Sequence, residues 1–352
     1  MKIKGSYFRR CMESNLFQIA DGKINIHSFA KDGTGMFRVL KNDADLEDKE
    51  TVEFFIKKSD ADIISAFDEL DMEINEETNS IVFRSDKTVI RFQNQTGIQE
   101  PKPNIAETVL IKLGSEEFVK ASALSEKDAK NMGNITAGLV FCRNGLMLYD
   151  SSLSVYYRYC GPDNCGPEVP IRVPAAILKL AEPKREYSIR LSEKLMVFMS
   201  GSEILYSGVY AGHNAKMIGY DPKPDGTMTI DDAASFMEHI RMAGAFNSLV
   251  RLSIKNDLLT IENYLNNDDP RLYSAEMAVN TNIEEYSILI NAKGMNHMFS
   301  GLEVNGSKPL VLGMNDTLIR SDEIDRYMVM GACSNPDNVK LKLKGTGEDG
   351  EQ

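Results

Sequence analysis

Three stretches of this chain repeat one pattern at a spacing of about 115 residues, and a tandem repeat restricts the available folds more than any other feature. Each copy begins with a strand-turn-strand unit whose turn is acidic or amide: Leu16 to Ile24, Leu139 to Leu146 and Val250 to Leu258. An apolar anchor then feeds a short amphipathic helix, Ile56 with Asp62 to Leu70, Val173 with Pro174 to Leu180, and Ile290 with Asn291 to Phe299. Two strands around a turn close each copy, at Ile81 to Phe92, Leu195 to Ser207 and Leu310 to Arg320. The anchors Ile56, Val173 and Ile290 fall at nearly equal intervals. Strands with occasional helices on one face of an antiparallel sheet indicate α+β repeats. Here the shape itself is the product, which favours scaffolds, rings and solenoids over single-pocket enzymes.

A chain of 352 residues accommodates three such domains, each large enough to bury a core. Two polar, proline-bearing joints separate them: Gln99-Glu100-Pro101-Lys102-Pro103-Asn104 and Tyr220-Asp221-Pro222-Lys223-Pro224-Asp225-Gly226. The expected domains are therefore 1–103, 104–222 and 223–333, with a tail at 334–352. Asp231 and Asp232 are placed to cap a helix through Phe236, Ile240 and Met242. A second helix is expected from Glu116 to Lys130, with Phe118, Ala121 and Leu124 on one face. In the tail, Val339, Leu341 and Leu343 alternate with lysines as an extra edge strand does, and a Gly-rich acidic end reads as disorder.

No apolar run reaches the length of a membrane span, and Met1-Lys2-Ile3-Lys4-Gly5 lacks a following apolar region, so a cytoplasmic protein is the default. Cys11, Cys142, Cys160, Cys165 and Cys333 are too scattered for a disulfide framework. Cys160 and Cys165 have half the spacing of a metal site, but no second Cys/His pair completes it. The histidines His27, His213, His239 and His297 form no metal-binding pair, and no phosphate-cradling glycine loop is present. Acidic pairs such as Asp231-Asp232 and Glu284-Glu285 read as caps and turns. Neither an enzyme nor a cofactor is expected. The formal net charge of −12 argues against coating nucleic acid over the whole surface, yet it permits a basic stripe on one face.

Several segments together resemble the bacterial sliding clamp, the beta subunit of DNA polymerase III. They are Glu117-Phe118-Val119-Lys120-Ala121, Gly138-Leu139-Val140-Phe141, Gly145-Leu146-Met147-Leu148-Tyr149-Asp150, Val173 to Lys179 and Leu205-Tyr206-Ser207. Val250 to Ile261, Ile290-Asn291-Ala292-Lys293 and Tyr327-Met328-Val329-Met330 extend the likeness through the third copy. Their order and spacing over some 320 residues carry the resemblance.

The resemblance implies a head-to-tail homodimer closing a six-domain ring around duplex DNA, with helices lining the hole and sheets outside. The ring would tether a polymerase, and a clamp loader would open it. Sliding requires weak contacts to phosphates and none to base edges. The cations implied for that role are Arg9, Arg10, Lys57, Lys58, Lys120, Lys127, Lys130, Lys179, Lys184, Arg185, Arg241 and Lys293. A pocket for partner peptides is implied at Thr136, Tyr149, Leu153, Ala215, Tyr220, Met328 and Met330, where methionine suits a surface that fits several partners.

The chain also departs from the family. Asp150-Ser151-Ser152-Leu153 replaces an Asp-Gly-His-Arg-Leu run with one residue fewer, and Met330-Gly331-Ala332-Cys333 replaces a terminal Met-Pro-Met-Arg-Leu. The basic-aromatic cluster before the second joint reads Lys216-Met217-Ile218-Gly219-Tyr220. Only Met1 to Ser14 stands where the family has a strand and a long channel helix, room for a short helix around Tyr7-Phe8-Arg9-Arg10. Drift of this kind suits a virus-encoded or otherwise divergent clamp. The competing expectation is a repeat-built structural or scaffold protein that does not encircle DNA.

Overall fold

The computed structural model describes the chain except residues 21, 42–51, 96–97, 115, 119, 122–137, 151–152, 183–184, 212–219, 265–271, 303, 305, 307, 336 and 346–352. One succession of elements recurs along it: a strand, a helical turn, a three-strand meander, a strand feeding a helix, and a second meander. The first occurrence has Lys2–Lys4, a 3-10 turn at Gly5–Phe8, then Ser14–Ala20, Lys23–Phe29 and Gly35–Lys41. Val52–Lys57 leads into helix α1 (Lys58–Ile64), and Glu69–Asn75, Ser80–Ser85 and Thr88–Gln93 close it. The second has Val109–Leu110, helical residues 116–118, Gly138–Cys142, Gly145–Asp150 and Val155–Cys160. Ile171–Arg172, α2 (Ala175–Leu180), Ser188–Leu191, Leu195–Ser200 and Glu203–Gly208 complete it. The third has Gly226–Ile230, α3 (Ala233–Phe246), Leu249–Lys255, Leu258–Asn263 and Ser274–Ala278. It ends with Ile283–Asn291, α4 (Ala292–Gly301), Leu310–Asn315, Leu318–Asp322 and Arg326–Gly331.

Local chemistry places the helices. The Asp232 carboxylate accepts from the Ser235 amide at 2.9 Å, a cap that contributes about 1 kcal/mol. Asn291 caps α4 by accepting from the amides of Lys293 and Gly294. The first helix forms earlier than its expected span of Asp62 to Leu70, because Leu70 and Met72 alternate with exposed residues and join a strand. In the first copy a 3-10 turn holds the place that α3 has in the third. A Cβ on Gly5 there would lie 2.0 Å from the Phe67 carbonyl oxygen, so only glycine allows this close approach.

The copies join by strand edges. Gly35–Lys41 pairs antiparallel with Glu203–Gly208, and Val155–Cys160 pairs antiparallel with Arg326–Gly331. In both cases the last strand of a copy's first meander meets the last strand of the following copy. The two pairings fuse half-sheets into an eight-stranded and a ten-stranded sheet. The remaining halves stay separate as a four-stranded and a five-stranded sheet. Among the described residues, Thr88–Gln93 and Ser274–Ala278 end those two sheets without a further partner strand.

Packing divides the chain into two compact units, Met1–Ser115 with Ala176–Tyr210, and Glu116–Ala175 with Ala211–Gln352. Residues 104–222, expected as one domain, are shared between the units because one edge pairing joins Glu203–Gly208 to the first unit and the other joins Val155–Cys160 to the second. In the first unit Phe17 stacks between Phe8 and Phe54, with ring centroids 4.7 and 5.1 Å away. Each such buried ring contributes about 1.5–3 kcal/mol. In the second unit α3 packs on α4, and Phe236 meets the edge of Phe299 at 5.7 Å. No described helix is long and apolar enough to cross a membrane.

At the first edge pairing, Gly35 lies opposite Tyr206, and a Cβ there would fall 2.1 Å from the tyrosine ring. The Tyr206 hydroxyl lies 2.6 Å from His27 Nε2, while His27 Nδ1 lies 2.6 Å from Glu100 in the first proline-bearing joint. The His27 ring is 4% exposed and stacks on Phe37 at 3.8 Å. Burial pushes its pKa below the ordinary histidine value, and the Glu100 carboxylate only partly opposes that. The neutral ring therefore donates from Nδ1 and accepts at Nε2.

The tail behaves as expected up to its last described residues. Val339–Leu343 adds to Ile283–Asn291 as a fifth strand. The Cys333 amide donates to the Leu289 carbonyl at 2.8 Å, and the Leu341 amide donates to Asp316 at 2.8 Å.

Truncation after Cys333 should uncover the Ile283–Asn291 edge, so that backbone amides of Glu284–Ser287 exchange roughly tenfold faster with deuterium; unchanged rates would mean that the tail strand adds no protection. A histidine with a lowered folded-state pKa contributes fully above its unfolded value of about 6.5 and loses that contribution as pH falls below it. His27→Gln should therefore flatten the fall in melting temperature expected of the parent chain between about pH 7.5 and 5.5, and an equal fall in both would remove His27 as its source.

Candidate functional site

Six of the twelve expected phosphate-contacting cations are exposed: Arg9, Lys57, Lys58, Lys179, Arg241 and Lys293. Lys57 and Lys58 begin α1 and Lys293 lies in the first turn of α4. The helix dipole opposes a cation at these positions, so folding stability does not account for them. Lys58 pairs with Asp62 at 2.9 Å and Arg241 with Glu238 at 3.9 Å, both solvent-exposed pairs of small net effect. Lys127, Lys130 and Lys184 lie outside the described residues.

The other three cations are engaged inside the fold. Arg10 clamps Glu203 through both guanidinium nitrogens at 2.7 and 3.0 Å, and also donates to Glu182 and to the Leu180 carbonyl. Arg10 takes the left-handed conformation, φ 61°, which turns its side chain into this cluster. Burial works against its charge, but Glu203 and Glu182 more than offset that and raise its pKa. Arg185 reaches Glu182 at 2.5 Å and Glu203 at 3.2 Å. Tyr187 donates to Glu203 at 3.2 Å. Arg10 is turned away from solvent ligands, since a guanidinium bound bidentately by a buried carboxylate is not presented to a phosphate, whereas Arg185, with a side chain 37% exposed, reaches that carboxylate through one nitrogen.

Lys120 pairs with Glu116 at 2.8 Å and with Glu117 at 3.8 Å. Glu117 in turn accepts from Arg326 at 3.2 Å and from the Tyr157 hydroxyl at 3.0 Å. Burial pushes the Glu117 carboxyl up, and the Arg326 guanidinium pulls it back. The roles of Glu203, Glu117 and Arg326 were not read from sequence. Their partners are distant in the chain, so no local spacing announces them.

Strand parity separates the residues expected to line a peptide pocket. Successive residues of a strand face opposite sides, so Arg326–Gly331 presents Tyr327 and Val329 to one face and Met328 and Met330 to the other. Met328 and Met330 are 1% and 0% exposed. A Cβ on Gly294 of α4 would stand 3.1 Å from Met330 Sδ, so these buried methionines face the helix. Leu153 is also buried, and Thr136 and Ala215 lie outside the described residues.

Tyr149 and Tyr220 instead meet the other face. They pack against a cluster of Val140, Met147, Tyr156, Leu318, Tyr327 and Val329. Tyr220 meets the edge of Tyr156 at 5.4 Å, and the Tyr327 hydroxyl donates to the Tyr220 carbonyl at 2.6 Å. Arg320 covers the Tyr327 ring at 4.2 Å. Asp322 and Asp221 hold Arg320 at 2.5 Å each, and its pKa is raised chiefly by the hydrogen bond to Asp322. Arg320 also donates to the Pro222 carbonyl at 2.8 Å, which ties the second proline-bearing joint to the sheet. Tyr149 and Tyr220 are the half-exposed part of this apolar face. Tyr156 and Tyr327 were legible only as strand residues. Among the described residues no group of three or more His, Cys, Asp or Glu is placed to hold a metal ion.

No family model and no curated protein matches the sequence. Solved structures do. The Helicobacter pylori beta clamp bound to a DNA ligase peptide superposes with a TM-score of 0.74 at 13% identity, covering 95% of this chain and 100% of that one. The DNA polymerase III subunit beta of Pseudomonas aeruginosa gives 0.70 at 12% identity, covering 95% and 100%. That of Borrelia burgdorferi, solved with a natural product, gives 0.71 at 10% identity, covering 92% and 91%. Near-complete coverage in both directions at such low identity is a likeness of architecture. The chain therefore has the fold of the bacterial DNA polymerase III beta clamps.

Proposed function

We propose that this chain is a divergent sliding clamp: a non-enzymatic processivity factor that closes around duplex DNA as a head-to-tail homodimer and tethers a polymerase. The observation that carries this reading is the balance of strand edges. Each copy of the repeat contributes one meander edge and one closing edge, and two of each are joined inside the chain. Among the described residues, one closing edge, Thr88–Gln93, and one meander edge, Ser274–Ala278, are left over. Unpaired edges are aggregation-prone unless covered, and a heterologous contact between complementary edges closes a ring when its rotation allows. Val89, 61% exposed on the first edge, is a side chain that such a seam would cover.

On this reading the chain comprises three clamp domains, 1–103, 104–222 and 223–333, that share sheets across their boundaries. The exposed Lys57, Lys58, Lys179, Arg241 and Lys293 supply weak phosphate contacts without base readout. Tyr149 and Tyr220, backed by Tyr327 and Val329, form the apolar face that takes a partner's peptide. Aromatic anchors of this kind dominate peptide and protein interfaces.

In size-exclusion chromatography with light scattering, the chain should elute at twice its 39.3 kDa mass and dissociate more slowly from circular than from linear DNA. Large assemblies, or equal loss from both DNA forms, would favour the scaffold reading. Reversal of Lys57, Lys58, Arg241 and Lys293 to Glu should shorten retention and lower the salt slope by about 0.9 for each phosphate that is no longer neutralised. An unchanged slope would remove these residues from the DNA path.

Alanine at Tyr220 should weaken binding of an apolar polymerase-tail peptide about tenfold in fluorescence anisotropy. Equal affinity for parent and variant would place the peptide site elsewhere.

A further inference from the structure

Glu203 and Arg326 hold the same place in successive copies. Each is the first residue of the strand that crosses an edge pairing. Their side chains are 2% and 10% exposed. Each is met by a residue from the first helical segment of the preceding copy: Arg10, two residues after the Gly5–Phe8 turn, meets Glu203, and Glu117 meets Arg326. The polarity is inverted between the two joints. The corresponding first residue in the first copy is Thr88, and the corresponding helix of the third copy opens with Ala233, Ala234 and Ser235. Neither carries a charge.

We infer that these residues form an order code that decides which copy follows which. Arg10 beside the first helical turn meets a strand that opens with Glu, Glu117 meets a strand that opens with Arg, and in the third seam a helix start without charge meets a strand start without charge. Every other combination removes a buried charge's partner across the joint or sets like charges together, which a low-dielectric joint disfavours. Arg10 against Arg326 of another copy, or Glu117 against Glu203, excludes the mispairings that would give rings or chains of the wrong composition. Discrimination of this kind works by penalising the alternatives more than by strengthening the native pair. The two charged joints stand on contacts within the chain. Only the neutral third seam rests on the ring reading proposed above.

The test is the double variant Glu117→Gln with Arg326→Met in the full chain, refolded by dilution beside the parent and weighed by native mass spectrometry. Glutamine keeps an acceptor for the Tyr157 hydroxyl, and methionine fills the arginine's volume. The double variant should melt within a few degrees of the parent, because neutral replacement of a buried pair is well tolerated. It should nonetheless populate additional stoichiometries, with several-fold more mass outside the parent's main species. Arg326→Met alone should melt well below both, since it leaves Glu117 buried without its guanidinium. Reassembly of the double variant to the parent's distribution would overturn the code. Failure of the ring reading would appear separately, as a parent that forms no discrete dimer, and the parent-to-variant comparison would still read the Glu117–Arg326 joint.

Discussion

Edge-to-edge strand pairing is the constraint on which the rest of this structure depends. A strand edge exposes a row of amides and carbonyls that must find partners, and this chain answers the requirement by borrowing the next copy's edge. Gly35–Lys41 on Glu203–Gly208 and Val155–Cys160 on Arg326–Gly331 are the same solution used twice. The helical segments then need only cover one face of each fused sheet, which is why short helices such as α1 and α2 suffice. The Tyr206–His27–Glu100 chain and the Arg320–Asp221 pair serve one purpose at the two joints, fastening a proline-bearing linker to the sheet beside it.

Much of this was legible from residues alone. The anchors Ile56 and Ile290 lie at the ends of strands that feed a helix or its cap, Val173 follows the strand Ile171–Arg172, and Asp232 and Asn291 cap α3 and α4. The alternation of Val339, Leu341 and Leu343 marked an edge strand, and one formed. These signals are local, set by capping chemistry and by a period of two or 3.6 residues.

What was not legible depends on partners far away in sequence. Met328 and Met330 were expected in a pocket from the resemblance, and sequence alone does not say which face they take, since a shift of one residue in a strand exchanges its faces. Only the register against Val155–Cys160 decides which face meets the helix. Arg10 and Arg185 read as solvent cations because nothing nearby in sequence shows Glu182 and Glu203 waiting for them. Charge in a sequence gives electrostatic content, and the fold decides whether a phosphate or a buried carboxylate receives it. Lys57, Lys58 and Lys293 remain exposed at helix starts, where folding alone offers no reason for a cation.

The leftover edges permit a direct measurement. Hydrogen exchange of the DNA-free protein, followed across a dilution series that spans its dissociation, should show amides of Thr88–Gln93 and Ser274–Ala278 protected together at high concentration and released together on dilution. A stable dimer in which both segments exchange as freely as exposed loops would contradict closure through these edges, and with it the encircling mechanism.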